Sequence, residues 1–417
     1  MVQLILSINA GSSSLKCSLY SAEEVGNTNK TPKLDKLAGA EVSAIGTQKA
    51  GLKYTKGSQK QQSDLGHVED HGKAFEHVLD TFLNDSNVAV SAKEDIRYAC
   101  HRVVQGGDFR DDELITRETF HKIEALSDLA PLHNAAAVQL MKAVHEKLPK
   151  CTNVACFDSA FHATMPECVK SYAISPKIAM EKGLRKYGFH GLSYSYVLRE
   201  TARYLKKPVP ETNIIALHLG SGASACAIKN GQSIDTTMGL TPVSGLPGGT
   251  RSGDIDPSLV FHYTSDVGKL SPSSTTDLHI SKAEEILNKQ SGWKALTGTS
   301  DFAEIAKADA PDTHKLALDI FVDRIVGYIG SYYVKLGGEV DALVFAGGIG
   351  EKSSYLRQLV ISKVSCLGFA IEQEQNQNAK DSEIVSRIGS SASSLTLVVQ
   401  TDEDWQMAYQ TALHPKR

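Results

Sequence analysis

Apolar residues in the stretch 4–20 (LILSINAGSSSLKCSLY) fall into two runs on either side of a glycine and serine turn, the pattern of two strands joined tightly. The stretch 214–228 (IIALHLGSGASACAI) repeats that plan. Laying Gly220 on Gly11 also lays Ser221 on Ser12, Cys226 on Cys17 and Ile228 on Leu19, a constant offset of 209 residues in a chain of 417. The offset predicts two related domains, each opening with a glycine-turn hairpin.

Helical spacing near 3.6 predicts helices over 135–148, with Asn134 as N-cap and Pro149 as stop, and over 193–205. Strand patterns at 96–104 and 153–157 alternate with these helices, which predicts α/β architecture. The longest helical candidate, 313–336, ends at Gly337-Gly338 and leads through a buried-strand pattern at 341–345 to Ala346-Gly347-Gly348-Ile349-Gly350-Glu351. Strand, glycine turn and helix form an arrangement in which backbone amides can approach a phosphate or nucleotide. Polar stretches at 27–36, 270–277 and 373–382 read as surface loops.

The candidate chemistry lies where these patterns change. Gly11-Ser12-Ser13-Ser14-Leu15-Lys16 lacks the glycine that a Walker A loop places before its lysine, but Asn9, Ser12, Ser14 and Lys16 supply donors suited to phosphate oxygens. Gly220-Ser221-Gly222-Ala223-Ser224-Ala225 matches a dinucleotide fingerprint in letters only, because a strand ending at Asn230-Gly231 follows it instead of a helix. Arg102 and Arg251 sit beside glycines, a setting that suits bidentate capture of carboxylate or phosphate and equally a structural ion pair. Asp158 stands just beyond a strand, where α/β proteins keep reactive groups. His133 and His190 each precede a helix, and no two histidines have zinc-ligand spacing on a helix. Thr401-Asp402-Glu403-Asp404 reads either as a helix N-cap or as ligands for a hard cation.

Composition narrows the ligand problem. With 44 Lys+Arg against 48 Asp+Glu and a net charge of -4, no global basic field holds nucleic acid or anionic lipid, so an anionic ligand must be caught locally. Seven scattered cysteines without a C-x-x-C pair suit free thiols in a reducing, cytoplasmic compartment. No apolar run reaches the length of a membrane span, and the start of the chain lacks the basic region of a signal peptide.

Taken in order, the stretches 9–16, 101–107, 132–134, 157–162, 189–191, 218–222, 250–257, 347–351 and 401–403 resemble the acetate kinase family, of the actin, sugar kinase and heat-shock ATPase superfamily, fungal members above all. The resemblance implies an α/β fold of two duplicated ribonuclease-H-like domains with the active site in an interdomain cleft. The first domain would comprise 1–160 completed by 400–417, the second 161–399 with the nucleotide site and dimer interface. It implies reversible phosphoryl transfer between ATP and acetate, giving ADP and acetyl phosphate, with Mg²⁺ or its substitute Mn²⁺, in a homodimer. Asp158, Arg251, His190 and Arg102 then take catalytic positions, and Asn9 and Glu403 metal positions. Arg102, Val104, Leu132, His133, Phe189 and Pro242 would bind acetate. Ser12, Ser14, Lys16, His218, Leu219, Gly220, Ser221, Gly222, Asp301, Phe302, Ala303, Gly347, Gly348, Ile349, Gly350 and Glu351 would bind nucleotide. The chain departs from the family pattern at Gln105, Ser221, Ala303 and Asp404, where His, Asn, Arg and Glu are usual. Propionate or butyrate kinase, a pyrophosphate-using acetate kinase and a non-enzymatic ATP-driven switch stand as alternatives.

Overall fold

The computed structural model describes the chain except residues 1, 24–31, 86, 87, 89, 91, 129, 130, 264–268, 273, 275–279, 380–382 and 415–417; at 2, 128, 131–133, 262 and 263 it describes the backbone only. The chain divides into two compact units, Met1–Ala160 with Asp402–Arg417, and Phe161–Thr401.

The first unit carries β1 (Val2–Ala10), β2 (Leu15–Glu23), β3 (Leu34–Ser43), β4 (Ala50–Lys56), β5 (Gln59–Gly66), β6 (Ile96–Val103), β7 (Glu113–Leu114) and β8 (Thr152–Phe157). They form one sheet in the order β5-β4-β3-β2-β1-β6-β8-β7. The second unit carries β9 (Ile214–Leu219), β10 (Ala223–Lys229), β11 (Gln232–Thr236), β12 (Ala342–Ala346), β13 (Val385–Arg387) and β14 (Thr396–Val399), in the order β11-β10-β9-β12-β14-β13. Without β4 and β5 the two orders are the same. In each sheet a hairpin leads into two parallel pairings and an antiparallel edge, so the predicted duplication is present in the topology.

Register corrects the residue-level alignment. Asn9 pairs with Lys16 across the first hairpin, and His218 pairs with Ser224 across the second. The first turn closes by Gly11 N–H to Ser14 O, whereas the second closes by Gly220 N–H to Gly222 O, one residue shorter. Asn9 and His218 are therefore equivalent at the 209-residue offset, but Lys16 matches Ser224. The likenesses of Cys226 to Cys17 and of Ile228 to Leu19 do not correspond to structure.

Each sheet is covered by helices whose apolar faces the sequence supplies. In the first unit the helix His71–Asn84 buries Ala74, Phe75, Val78, Leu79 and Phe82 on one face of the sheet, together with Leu140, Val144 and Leu148. The helix Glu403–Leu413 packs against β1, β2 and β6. In the second unit the long helix Asp312–Lys335 packs Phe321, Val322, Ile325 and Ile329 against Leu217, Leu219 and Phe345. Gly191–Leu205 joins Tyr194, Val197 and Leu198 to Ile214, Ala216 and Val344. All five residues of β12 are buried, as a central parallel strand covered on both faces requires.

Several local expectations change. The helix predicted from 135 begins at Pro131, and Asn134 is no cap: its buried amide accepts from Gln105 N–H and donates to Gln105 O, fixing the bend after β6. β3 starts at Leu34 within the presumed loop 27–36, and Gln373–Gln377 forms a short helix within 373–382. Half of 270–277 falls outside the described residues.

The Asn9, Arg102, Asp158, His218, Gly347 and Thr401 positions all sit at or just beyond the carboxyl ends of parallel strands, where open α/β sheets place their chemistry. Gly347 has φ +75°, and a Cβ there would lie 2.8 Å from Leu219 O, so the turn after β12 fits against β9 only with glycine. Gly348 has nothing within 4 Å of the equivalent point. Gly347→Ala should lower stability by about 2–5 kcal/mol through the left-handed backbone and the collision. Gly348→Ala should change it by less than about 1 kcal/mol. Urea denaturation midpoints of the two variants check this, and equal midpoints would contradict it.

Candidate active site

Each unit gathers its own cluster. In the first, Arg102 near the end of β6 donates from Nε and Nη2 to Asp158 Oδ2 at 3.0 and 2.7 Å. Its Nη1 donates to Asn9 Oδ1 at 3.2 Å and lies 3.3 Å from Glu403 Oε2. Asn9 Nδ2 donates to the same Glu403 oxygen at 3.2 Å, closing the set. Asp158 is fully buried and Arg102 half-buried. Burial works against the guanidinium's charge, but the charges of Asp158 and Glu403 outweigh it and hold Arg102 above its ordinary range.

Glu403 is positioned by a helix start. Asp402 caps the helix Glu403–Leu413 by accepting from Trp405 N–H, so the capping reading of this acidic run holds for Asp402. Asp404, fully buried two residues further on, accepts from Ser18 Oγ and pairs with Lys16 Nζ, both at 2.9 Å. Lys16 is accordingly tied to Asp404; burial opposes its charge, and Asp404 and neighbouring acids raise its pKa nonetheless. Ser12 is exposed and Ser14 half-buried in the turn between. Val104 is half-buried, and the side chains of Leu132 and His133 lie outside the described residues.

In the second unit His190 precedes the helix Gly191–Leu205 with φ +61°, a conformation that non-glycine residues adopt at a cost of about 1–3 kcal/mol and that recurs at functional positions. Its ring stacks on that of His218, centroids 4.1 Å apart. Gly248-Gly249 closes on the hairpin turn: Gly249 N–H donates to Ser221 O, and a Cβ on Gly248 would lie 2.6 Å from that oxygen. This close fit delivers Arg251, whose Nη1 lies 3.1 Å from where a Gly222 Cβ would stand, with His190 Nε2 at 3.7 Å. Two histidines, an arginine and a bare glycine turn thus converge, a set of donors suited to an anion.

The remaining positions divide. Gly347–Lys352 forms the expected short helix after β12, with Gly348 exposed, Ile349 packed on the core and Glu351 Oε1 accepting from Thr401 N–H. Asp301 caps the helix Phe302–Ile305, Ala303 is exposed, and the Phe302 ring is buried among Trp293 and Phe321, so it serves the core. Phe189 and Pro242 are buried, and Phe189 O bonds to His162 Nε2 at 2.9 Å.

Sequence reasoning missed the supports of this site. Arg357 is 2% exposed and donates to Gly350 O, Glu351 O, Asn376 Oδ1 and Asn376 O, capping the Gly347–Lys352 helix. Burial lowers its pKa to about 10, which keeps it charged at neutral pH. Ser193 and Ser224 are also fully buried, and a serine inside the apolar run ASACAI was a visible signal for the second.

The acetokinase family model matches residues 4–409. A probable acetate kinase of Emericella nidulans is 54% identical over 412 residues, covering 97% of this chain and 96% of that one. A propionate kinase of Francisella tularensis has a similar structure, with TM-score 0.84, 35% identity and 98% of both chains covered. An acetate kinase of Porphyromonas gingivalis has TM-score 0.83 and 34% identity, covering 99% of this chain and 100% of that one. The chain is thus a phosphotransferase of the class that acts on a carboxyl acceptor. It belongs to the acetokinase family. Among the described residues no helix is long and apolar enough to cross a membrane.

Two histidines are structural and set a pH response. His101 and His162 are each 1% exposed, and burial pushes both down to about 4. Their folded pKa lies below the unfolded value near 6.5, so the unfolded chain binds more protons between the two, and stability falls as pH drops through that window. Each should remove about 2 kcal/mol between pH 7 and pH 5. Urea denaturation across that range reads the loss; a flat midpoint would exclude neutral burial.

Proposed function

We propose that this chain catalyses reversible phosphoryl transfer between ATP and acetate, forming ADP and acetyl phosphate. The observation that carries this reading is the Arg102 cluster, a half-buried cation holding two carboxylates and an amide at the strand ends of an acetokinase-family chain. Acetate is ionised at neutral pH, so the nucleophile needs no general base. The difficulty is to bring two anions together and to stabilise charge on the transferring phosphoryl group. Arg102 binds the acetate carboxylate, and Arg251 with His190 stabilises the equatorial phosphoryl oxygens. The His218–Gly222 turn and Lys16 serve the phosphates, and the exposed turn at Gly348 serves the nucleoside.

A divalent cation fits the first cluster. Asp158, Glu403 and Asn9 are hard oxygen donors already gathered on one positive charge. Among the described residues no group of three or more His, Cys, Asp or Glu is arranged to hold a metal ion by itself, and Mg²⁺ needs none, since it keeps waters and takes one or two carboxylates beside phosphate oxygens. Mn²⁺ suits the same oxygens. When bound, the metal neutralises phosphate charge; Asp158 and Glu403 hold it, and Arg102 keeps both carboxylates in place.

Removing Arg251 as Arg251→Ala should lower kcat roughly 10³-fold or more, with Arg102→Ala raising KM for acetate as well. Hydroxamate trapping of acetyl phosphate measures both, and near-normal turnover of Arg251→Ala would overturn the scheme. The same assay should run with pyrophosphate beside ATP, because Ala303 and Ser221 replace an arginine and an asparagine on the nucleotide side. The likeness to a propionate kinase favours a second acceptor. One methylene in apolar surroundings changes discrimination by only about 1–3 kcal/mol, so kcat/KM on two-, three- and four-carbon acids decides between them.

A homodimer in the cytoplasm completes the proposal. Tyr172, Ile174, Ile178 and Met180 are exposed within one short stretch, Met180 at 82%, which suits a protein contact. The seven free cysteines suit a reducing compartment. Sedimentation should give two chains per particle, reduced to one by Ile178→Glu with Met180→Glu; a monomeric parent chain would exclude the dimer.

A further inference from the structure

The start of the helix Gly191–Leu205 and the β9–β10 hairpin are joined by a reciprocal pair of bonds. His190, at the helix start, places Nδ1 2.8 Å from Ser224 Oγ on β10. His218, on β9, places Nδ1 2.7 Å from Ser193 Oγ on the helix. Each element thus contributes one histidine and one serine, and each histidine is bonded to the serine of the other element. Ser224 and His218 face each other in register, and the two imidazoles stack. Both serines are completely buried.

With Nδ1 engaged, each ring offers Nε2 to the glycine turn. The two Nε2 atoms lie 3.7 and 3.9 Å from where Cβ atoms of Gly222 and Gly220 would stand, so they flank that turn. Which nitrogen carries the proton is set by the bond the other makes. Ser224 Oγ also lies 2.5 Å from the Tyr194 hydroxyl, whose oxygen is hydrogen-bonded to the backbone of His218. Burial keeps that phenol protonated, so Tyr194 is placed to donate to Ser224, which leaves the Ser224 proton for His190 Nδ1. On the other side Thr401 Oγ1, 2.9 Å from Ser193 Oγ, is placed to donate to Ser193, which then donates to His218 Nδ1. Run in that direction, both chains end with a proton on Nε2. The opposite tautomer would aim a lone pair at an anion, and two stacked imidazolium ions would repel.

We propose that Ser193 and Ser224 are positioning residues that hold His218 and His190 in the Nε2–H tautomer, making them a rigid pair of neutral donors for the phosphate chain at the Gly220–Gly222 turn. The inference rests on the phosphate-facing reading of that turn.

Imidazole ¹⁵N NMR of the full chain, assigned with His190→Gln and His218→Gln, should show protonated Nε2 and bare Nδ1 for both rings. Ser224→Ala should mix the His190 tautomers and lower kcat 10–100-fold while leaving KM for acetate nearly unchanged. Ser193→Ala should mix the His218 tautomers and raise KM for ATP about tenfold with a smaller effect on kcat. A protonated Nδ1 on either ring of the unaltered chain overturns the proposal, even if an alanine variant fails to fold. Alanine variants that keep both tautomer and kinetics overturn it as well. A chain that shows both Nε2–H rings yet forms no acetyl phosphate refutes the function and supports the tautomer assignment.

Discussion

The guanidinium of Arg102 is the constraint on which the first unit's chemistry depends. Asn9, Asp158 and Glu403 come from β1, the end of β8 and the last helix, and each reaches that single cation. Two carboxylates held this close would repel and raise each other's pKa if nothing positive stood between them. A lysine could not replace the arginine, because Asp158 receives two bonds from one edge of the planar group while Asn9 and Glu403 meet another nitrogen. The sheet order follows as a requirement: β1, β6 and β8 must be parallel neighbours for their carboxyl ends to share one cation.

Duplication supplied a second set of the same strand ends and changed what they carry. At equivalent pairs of positions the first hairpin holds Asn9 opposite Lys16 and the second holds His218 opposite Ser224. The first pair joins a network of full charges with Glu403 and Asp404. The second joins a network of hydroxyls and imidazoles. Shortening the turn by one residue brings Gly220 and Gly222 into hydrogen-bonding distance, leaving a bare backbone beside Arg251. One scaffold therefore yields a carboxylate-rich cluster suited to cations and acetate, and a cluster of imidazoles, an arginine and glycine backbone suited to phosphate.

Much of this was legible because local pattern and tertiary role agreed. The hairpins, the buried strand β12 and the long helix Asp312–Lys335 announce themselves by period and by turn residues. Arg102 and Arg251 were marked by neighbouring glycines, and structure gives those glycines a reason in close backbone approach, as at Gly248 against Ser221. β5 (QKQQSDLG) was not legible, since an edge strand exposed along most of its length has no apolar alternation to read. Asn134 looked like a cap because its chemistry suits one, yet a partner 29 residues away claims both its amide atoms. The helix His71–Asn84 had a full apolar stripe and could have been read. Arg357 could not, because nothing local distinguishes a buried arginine from the ordinary surface residue on an amphipathic helix.

The supports also explain how a chain of net charge -4 can hold anions. In the first unit each site cation has a partner that restrains it: Arg102 by Asp158 and Glu403, Lys16 by Asp404. Around the glycine turn Arg251 stands beside two imidazoles whose Nδ1 atoms are held by buried hydroxyls. Such donors bind an anion through preorganised dipoles and hold it less tightly than a cluster of bare cations would. A reversible transfer needs that moderation, because a site that binds one phosphorylated species too strongly slows the reaction in the direction that must release it.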